Sequence, residues 1–359
     1  INSRLNKFFK VGFSSNFGVQ DYSQNSMWAD KNKTYASNPL VAAKMALPYD
    51  APYYYSFDEA GNLVKGDRAA GLLYSQFLLP WFTVANTNQD RKNVTINLSL
   101  NEQFTPFEGL TFTALQSLFG YDLTADRASL PYEQFTTPMG QVIDAHTGGV
   151  ASDFSRYYAY TLTHTAEFRH NFGPHYVNLL LGEETRIQKG RSFGITSTGQ
   201  TDVRRMLLNT ATTITPSAQT DSRSEEVANS LFGTAEYNFK EKYYVYASLR
   251  FDGSSKFAPD HRWGTFGSLG LKWNAKRESF LRGVKWLDDL TVSANYGTTG
   301  NDSGAGSYDF YGLFGSGKNY NGEGSIDITQ ASNDKLTWEK VSKLNIGLNF
   351  GLFNRVTRK

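Results

Sequence analysis

The 359-residue sequence contains no cysteine. That removes disulfide scaffolds, thiolate metal sites and cysteine nucleophiles in any compartment. An excess of charge of one sign is missing too, since 36 Lys and Arg face 34 Asp and Glu, and no basic run occurs. A nucleic-acid binder needs clustered cations to meet phosphates, so no nucleic-acid partner is expected. No stretch of about 18 apolar residues is present, which excludes an α-helical membrane span. A transmembrane β-barrel escapes that test, because its strands alternate lipid-facing and lumen-facing residues and their hydropathy averages out. Neither end shows a signal peptide or a closing element: Ile1 opens without a basic and then apolar stretch, and Arg355 to Lys359 end in charged chain. The sequence therefore reads as an internal fragment.

What is abundant is aromatic residues (26 Phe, 21 Tyr, 6 Trp) and period-two alternation. Phe9, Val11, Phe13, Phe17 and Val19 alternate with Lys10, Gly12, Ser14, Asn16 and Gly18. Val94, Ile96, Leu98 and Leu100 alternate with Thr95, Asn97, Ser99 and Asn101, and Leu344, Ile346, Leu348 and Phe350 with Asn345, Gly347 and Asn349. Such parity marks strands with one apolar and one polar face. Similar segments at Leu110 to Tyr121, Tyr158 to Phe168, Val177 to Thr185, Leu231 to Phe239, Tyr243 to Phe251, Thr265 to Trp273 and Leu290 to Tyr296 bring the count to about ten. Many run 9 to 13 residues, enough to cross a bilayer when tilted, which takes roughly 9 to 11.

The predicted connections alternate in length. Asn101 to Gly109, Asn171 to His175 and Lys240 to Lys242 are short, whereas 20–91, Leu123 to Arg156, Gln188 to Glu225 and Thr299 to Lys335 are long. Asp252 to Trp263 on the long side and Asn274 to Asp288 on the short side are of comparable length and blur the rule. In an up-and-down antiparallel sheet this gives one tight rim and one rim of bulky loops, as in outer-membrane barrels. Parity alone also describes a water-soluble β-sandwich acting as a carbohydrate-binding or adhesin module. The 20–91 loop is expected to hold a short helix over Leu40 to Leu47, between Pro39 and Pro48, and a turn at Asp58 to Gly61. Its aromatic residues Tyr53, Tyr54, Tyr55, Trp81 and Phe82 are candidate contacts for sugar rings or peptide side chains, against the plainer role of packing the loop.

Reactive constellations are scarce. Gly312 to Asn319 falls one residue short of a phosphate-binding P-loop, lacking Ser or Thr after Lys318. His164 lies on the apolar parity of its strand and His170 and His175 flank a tight turn, so no metal site is expected. No GxSxG elbow or Ser, His and carboxylate set emerges; no catalytic residue and no cofactor is expected, although some outer-membrane barrels are enzymes.

The run Tyr243 to Phe257, with Asp252, Gly253, Ser254 and Ser255 at its outer turn, resembles SusC/RagA-type TonB-linked outer-membrane proteins of Bacteroidetes. The similarity continues through Tyr296, Gly297, Gly300 and Asn301 and through Trp338 and Glu339. This resemblance implies an all-β fold, with 1–359 forming about ten strands of an antiparallel up-and-down transmembrane β-barrel of 22 strands. Short turns would face the periplasm and long loops the exterior, with the plug and remaining strands absent. It also implies an outer-membrane location and TonB-dependent import of oligosaccharides or peptides. The implied partners are outer-membrane lipid, a SusD-like lipoprotein lid, and TonB, ExbB and ExbD acting through the absent part.

Overall fold

The computed structural model describes residues 1–24, 53–68, 72–73, 77–78, 87–131, 134–136, 142–143, 145–216, 221–321 and 323–353. Eleven strands, β1 (Asn2–Arg4), β2 (Phe9–Gln24), β3 (Thr87–Phe107), β4 (Leu110–Ser129), β5 (Gly148–Phe172), β6 (His175–Gln200), β7 (Ser222–Phe239), β8 (Tyr243–Ser254), β9 (Trp263–Asn274), β10 (Leu287–Asn301) and β11 (Glu339–Leu352), pair antiparallel in chain order. A twelfth short strand, Thr213–Pro216, pairs with the outer part of β6. All ten segments with alternating parity are strands β2 to β11, and β1 is an added edge.

Several strands exceed their alternating stretch, reaching 25 residues in β5 and 26 in β6. The connection expected at 20–91 consequently begins at 25 and ends at 86, because backbone pairing continues from Gln20↔Asn93 to Gln24↔Gln89. Asp21, Tyr22 and Ser23 end the alternation there without ending the ladder. The helix expected over Leu40 to Leu47 lies outside the described residues. The hairpin Tyr53–Phe57 with Leu63–Arg68 does turn at Asp58, whose carboxylate accepts the Asn62 backbone N–H at 2.7 Å. That bond holds the Asp58 pKa below the ordinary carboxylate value.

One rim is tight. Glu108 and Gly109 join β3 to β4, and Gly109 has φ 96°, where an added Cβ would lie 2.5 Å from the Arg169 carbonyl oxygen. Gly173 (φ 61°) and Pro174 join β5 to β6, and Lys240 and Glu241 (both φ 53°) turn β7 into β8. The longer connection between β9 and β10 folds into a 3-10 turn at Ala275–Arg277 and a helical turn at Ser279–Arg282.

The apolar parity forms one face of a single layer. Leu181, Ile346 and Leu348 are 69%, 76% and 60% exposed, and Ile96 and Leu98 are half-buried. Among the described residues no second layer covers this face, which removes the β-sandwich alternative. Among the described residues buried apolar side chains are few, and Phe257, Ala258 and Phe266 lie at the outer end of β8 and β9, where Phe257 and Phe266 both meet Trp338.

Candidate functional site

Two features stand out: a groove on the polar face and a clasp above it. In β8 the even positions Tyr246, Ser248, Arg250 and Asp252 share the polar face with Ser268 and Gly270 of β9, because Ser248 pairs with Ser268 and Tyr246 with Gly270. Asn295 and Gly297 continue that face into β10, followed by Lys343 and Asn345 of β11. Small residues at Ser248, Ser268, Gly270 and Gly297 leave the wall hollow, giving a groove of about 620 Å³. Ser248 and Ser268 hydroxyls meet at 2.7 Å, and Asn345 donates to Asn295 at 2.9 Å.

Arg250 is fixed beside this groove. Its Nε donates to Asp252 at 2.6 Å, its Nη2 to the Ser230 hydroxyl at 2.8 Å, and Glu184 lies 3.6 Å away. Its guanidinium also covers the Phe232 ring at 5.2 Å. A charge-assisted bond to Asp252 and a cation–π contact hold the planar fork in one orientation. The groove offers hydroxyls, amides and a fixed guanidinium on a rigid sheet, which suits hydrogen bonding to a polar solute.

Of the residues singled out by resemblance, all but Tyr296 and Gly297 come together at the outer end. Asp252 holds Arg250, and Gly253 lets the Trp263 ring approach, since a Cβ there would meet it at 3.0 Å. Ser254, 3% exposed, donates to Asp302 at 3.0 Å, while Ser255 exchanges bonds with the Val227 backbone at 2.9 Å. Lys256 lies between Glu226 (3.7 Å) and Asp302 (3.8 Å). Trp338 packs against Phe257 and edge-on to Phe266, and its indole N–H donates to the Arg262 carbonyl at 2.8 Å. Gly300 leaves space for the Phe266 ring, and Asn301 donates to Glu339 at 3.0 Å. Gly297 lines the groove, while Tyr296, 53% exposed, stands on the apolar face. The motif is thus a clasp tying the 255–262 turn to β7, β10 and β11.

Of the aromatic loop candidates, three fall in the hairpin strand Tyr53–Phe57. Tyr55 is exposed on its hairpin, and Tyr53 and Tyr54 lie on the same strand. Trp81 and Phe82 lie outside the described residues. The histidines are separated as well: His164 meets Glu183 at 2.9 Å on the apolar face, and His175 meets the Tyr237 hydroxyl at 2.7 Å near the tight rim. Among the described residues no group of three His, Asp or Glu could hold a metal ion. Sequence reading missed Arg250, Phe257 and Phe266 as the centre of this region. The signal was the even parity of Arg250 with Ser248 and Asp252, but only the register adds Ser230 and Glu184.

A one-layer sheet with exposed apolar and polar faces, and connections that are tight at one rim, defines a β-barrel wall. The chain belongs to the TonB-dependent receptor-like β-barrel family, whose model matches residues 12–357. It is 35% identical over 146 residues to the TonB-dependent receptor SusC of Bacteroides thetaiotaomicron, covering 39% of this chain and 15% of SusC. It is 26% identical to the TonB-dependent receptor P3 of Formosa agariphila over 98% of this chain and 34% of that protein. The solved structure of the RagAB peptide transporter superposes with a TM-score of 0.77 at 26% identity, over 98% of this chain and 38% of that one. The RagAB importer in its open-open state gives 0.78. The chain spans well under half the length of each of these relatives.

Proposed function

We propose that this chain is part of the wall of a TonB-dependent importer in the outer membrane of a Bacteroidetes bacterium. The apolar face meets lipid and the polar face lines a water-filled passage. The tight rim faces the periplasm, and the clasp anchors external loops beneath a SusD-like lipoprotein. The cargo is an oligosaccharide or a peptide, hydrogen-bonded in transit by polar-face groups such as those of the Arg250 groove. Energy comes from TonB, ExbB and ExbD acting through parts of the protein outside this chain. The wall performs no catalysis; its groups position and solvate the cargo.

The observation behind this reading is the uncovered apolar face opposite an equally continuous polar one. These 359 residues contribute no cysteine of their own, so a direct test follows once any cysteine elsewhere in the full-length protein is replaced by serine. Single cysteines at positions 343 to 348 of the full-length protein, spin-labelled in outer membranes, should alternate in accessibility. Labels at 344, 346 and 348 should collide with oxygen and those at 343, 345 and 347 with a water-soluble nickel chelate. Uniform access to the chelate along the strand would remove the membrane reading.

A further inference from the structure

The outward face carries a charge arrangement that import does not use. Arg156 of β5 pairs with Arg191 of β6, and Arg191 pairs with Arg223 of β7. Three arginines therefore stand side by side across three strands, on the same parity as Leu162, Leu181 and Leu231. Directly opposite residues in adjacent strands lie about 5 Å apart, and like charges placed so repel.

The counter-charges are unevenly shared. Asp122 accepts from Arg156 in a two-pronged pair at 2.7 and 2.5 Å. One residue pair nearer the membrane, Lys189 meets Glu225 at 3.1 Å. Among the described residues Asp221 alone serves both Arg191 (3.7 Å) and Arg223 (3.6 Å), at ion-pair rather than hydrogen-bond distance. The surplus positive charge thus falls between Arg191 and Arg223, whose side chains are 52% and 71% exposed.

Height in the membrane identifies what could neutralise it. Each arginine lies about 16 residues from the tight-rim end of its strand, at Phe172, His175 and Phe239. With a rise of about 3.3 Å per residue and a tilt of about 40°, that is about 40 Å above the rim, against an apolar band about 25 Å tall. The arginines therefore clear the hydrocarbon and stand among the outer-leaflet headgroups. Tyr158 and Tyr160 sit just below them as an interfacial aromatic belt. Arg156 lies over the Phe154 and Tyr158 rings and Arg191 over Phe193, which presents both guanidinium groups on a rigid aromatic base.

We propose that Arg191 and Arg223, flanked by Arg156 and Lys189, bind the phosphate of an anionic glycolipid in the outer leaflet. Guanidinium forks match phosphate oxygens, and a phosphate between Arg191 and Arg223 turns their repulsion into two charge-assisted contacts. The site rests on the membrane reading above.

The test uses the full-length transporter in nanodiscs containing either phosphorylated lipid A or the same lipid stripped of phosphate. Native mass spectrometry should show retention of the phosphorylated form at least about tenfold above the stripped form, a preference abolished in R191Q/R223Q. Asp221→Asn removes the competing carboxylate and should strengthen retention, a gain that misfolding cannot imitate. Equal retention of both lipids, or an unchanged preference in R191Q/R223Q, would overturn the site. Displacement of the lipid by millimolar inorganic phosphate would overturn it as a lipid site, leaving a free-anion site. Spin labels at 343–348 in the same samples separate the two readings: alternation with no lipid preference rejects only this site, whereas lost alternation rejects the membrane wall.

Discussion

At the residue scale, Glu278 shows how one carboxylate organises the tight rim. It accepts from Lys242 Nζ and the Tyr243 hydroxyl, each at 2.6 Å, and from the Trp273 indole N–H at 3.4 Å. The Lys242 bond leads in depressing its pKa to about 2, with the Tyr243 bond next. A carboxyl that is more acidic folded than unfolded stabilises the fold fully above its unfolded value, about 4.5, and progressively less as pH falls toward 2. The 275–286 connection should accordingly loosen between pH 4.5 and 2. Hydrogen exchange of its amides should rise over that window in the native protein and show a flattened dependence in E278Q; an identical profile in both would contradict this role.

At the element scale, the outer turn 255–262 depends on the Trp338 clasp rather than on its own sequence. Trp338→Phe keeps a ring against Phe257 and Phe266 but removes the bond to the Arg262 carbonyl, and should cost about 1 kcal/mol. Trp338→Ala also empties the ring site and should cost about 3 kcal/mol. Urea unfolding in detergent measures both, and limited proteolysis should cut 255–262 only in the alanine variant. Strands β2 to β11 were legible because each keeps one apolar parity over several turns of the pleat. Their outer ends were not, since Asp21 to Ser23 and Asp90 to Lys92 are polar on both faces while the ladder runs on. The motif residues could be picked out one by one, but their union around Trp338 joins segments about 80 residues apart. The arginine row was hidden for the same reason: Arg156, Arg191 and Arg223 each look like an isolated charge until the register aligns them.

At the scale of the whole molecule, the decisive property is that the sheet has no inside. β1 and β11 are its edges, and among the described residues neither pairs with the other. β11 presents an unpaired row of backbone donors and acceptors along Glu339–Leu352, beside side chains as exposed as Ile346 at 76%. Unpaired edges recruit other strands, and an uncovered apolar face recruits other apolar surface. On the wall reading proposed above, closure of a barrel and lipid would meet both demands. The chain produced alone in water should therefore associate as its concentration rises, and detergent should disperse the apolar contacts without supplying the missing neighbours of β1 and β11. Light scattering of the isolated chain tests this directly. A monodisperse water-soluble monomer that melts in one cooperative transition would mean that the apolar face is covered by the chain itself, and the wall reading would fall with it.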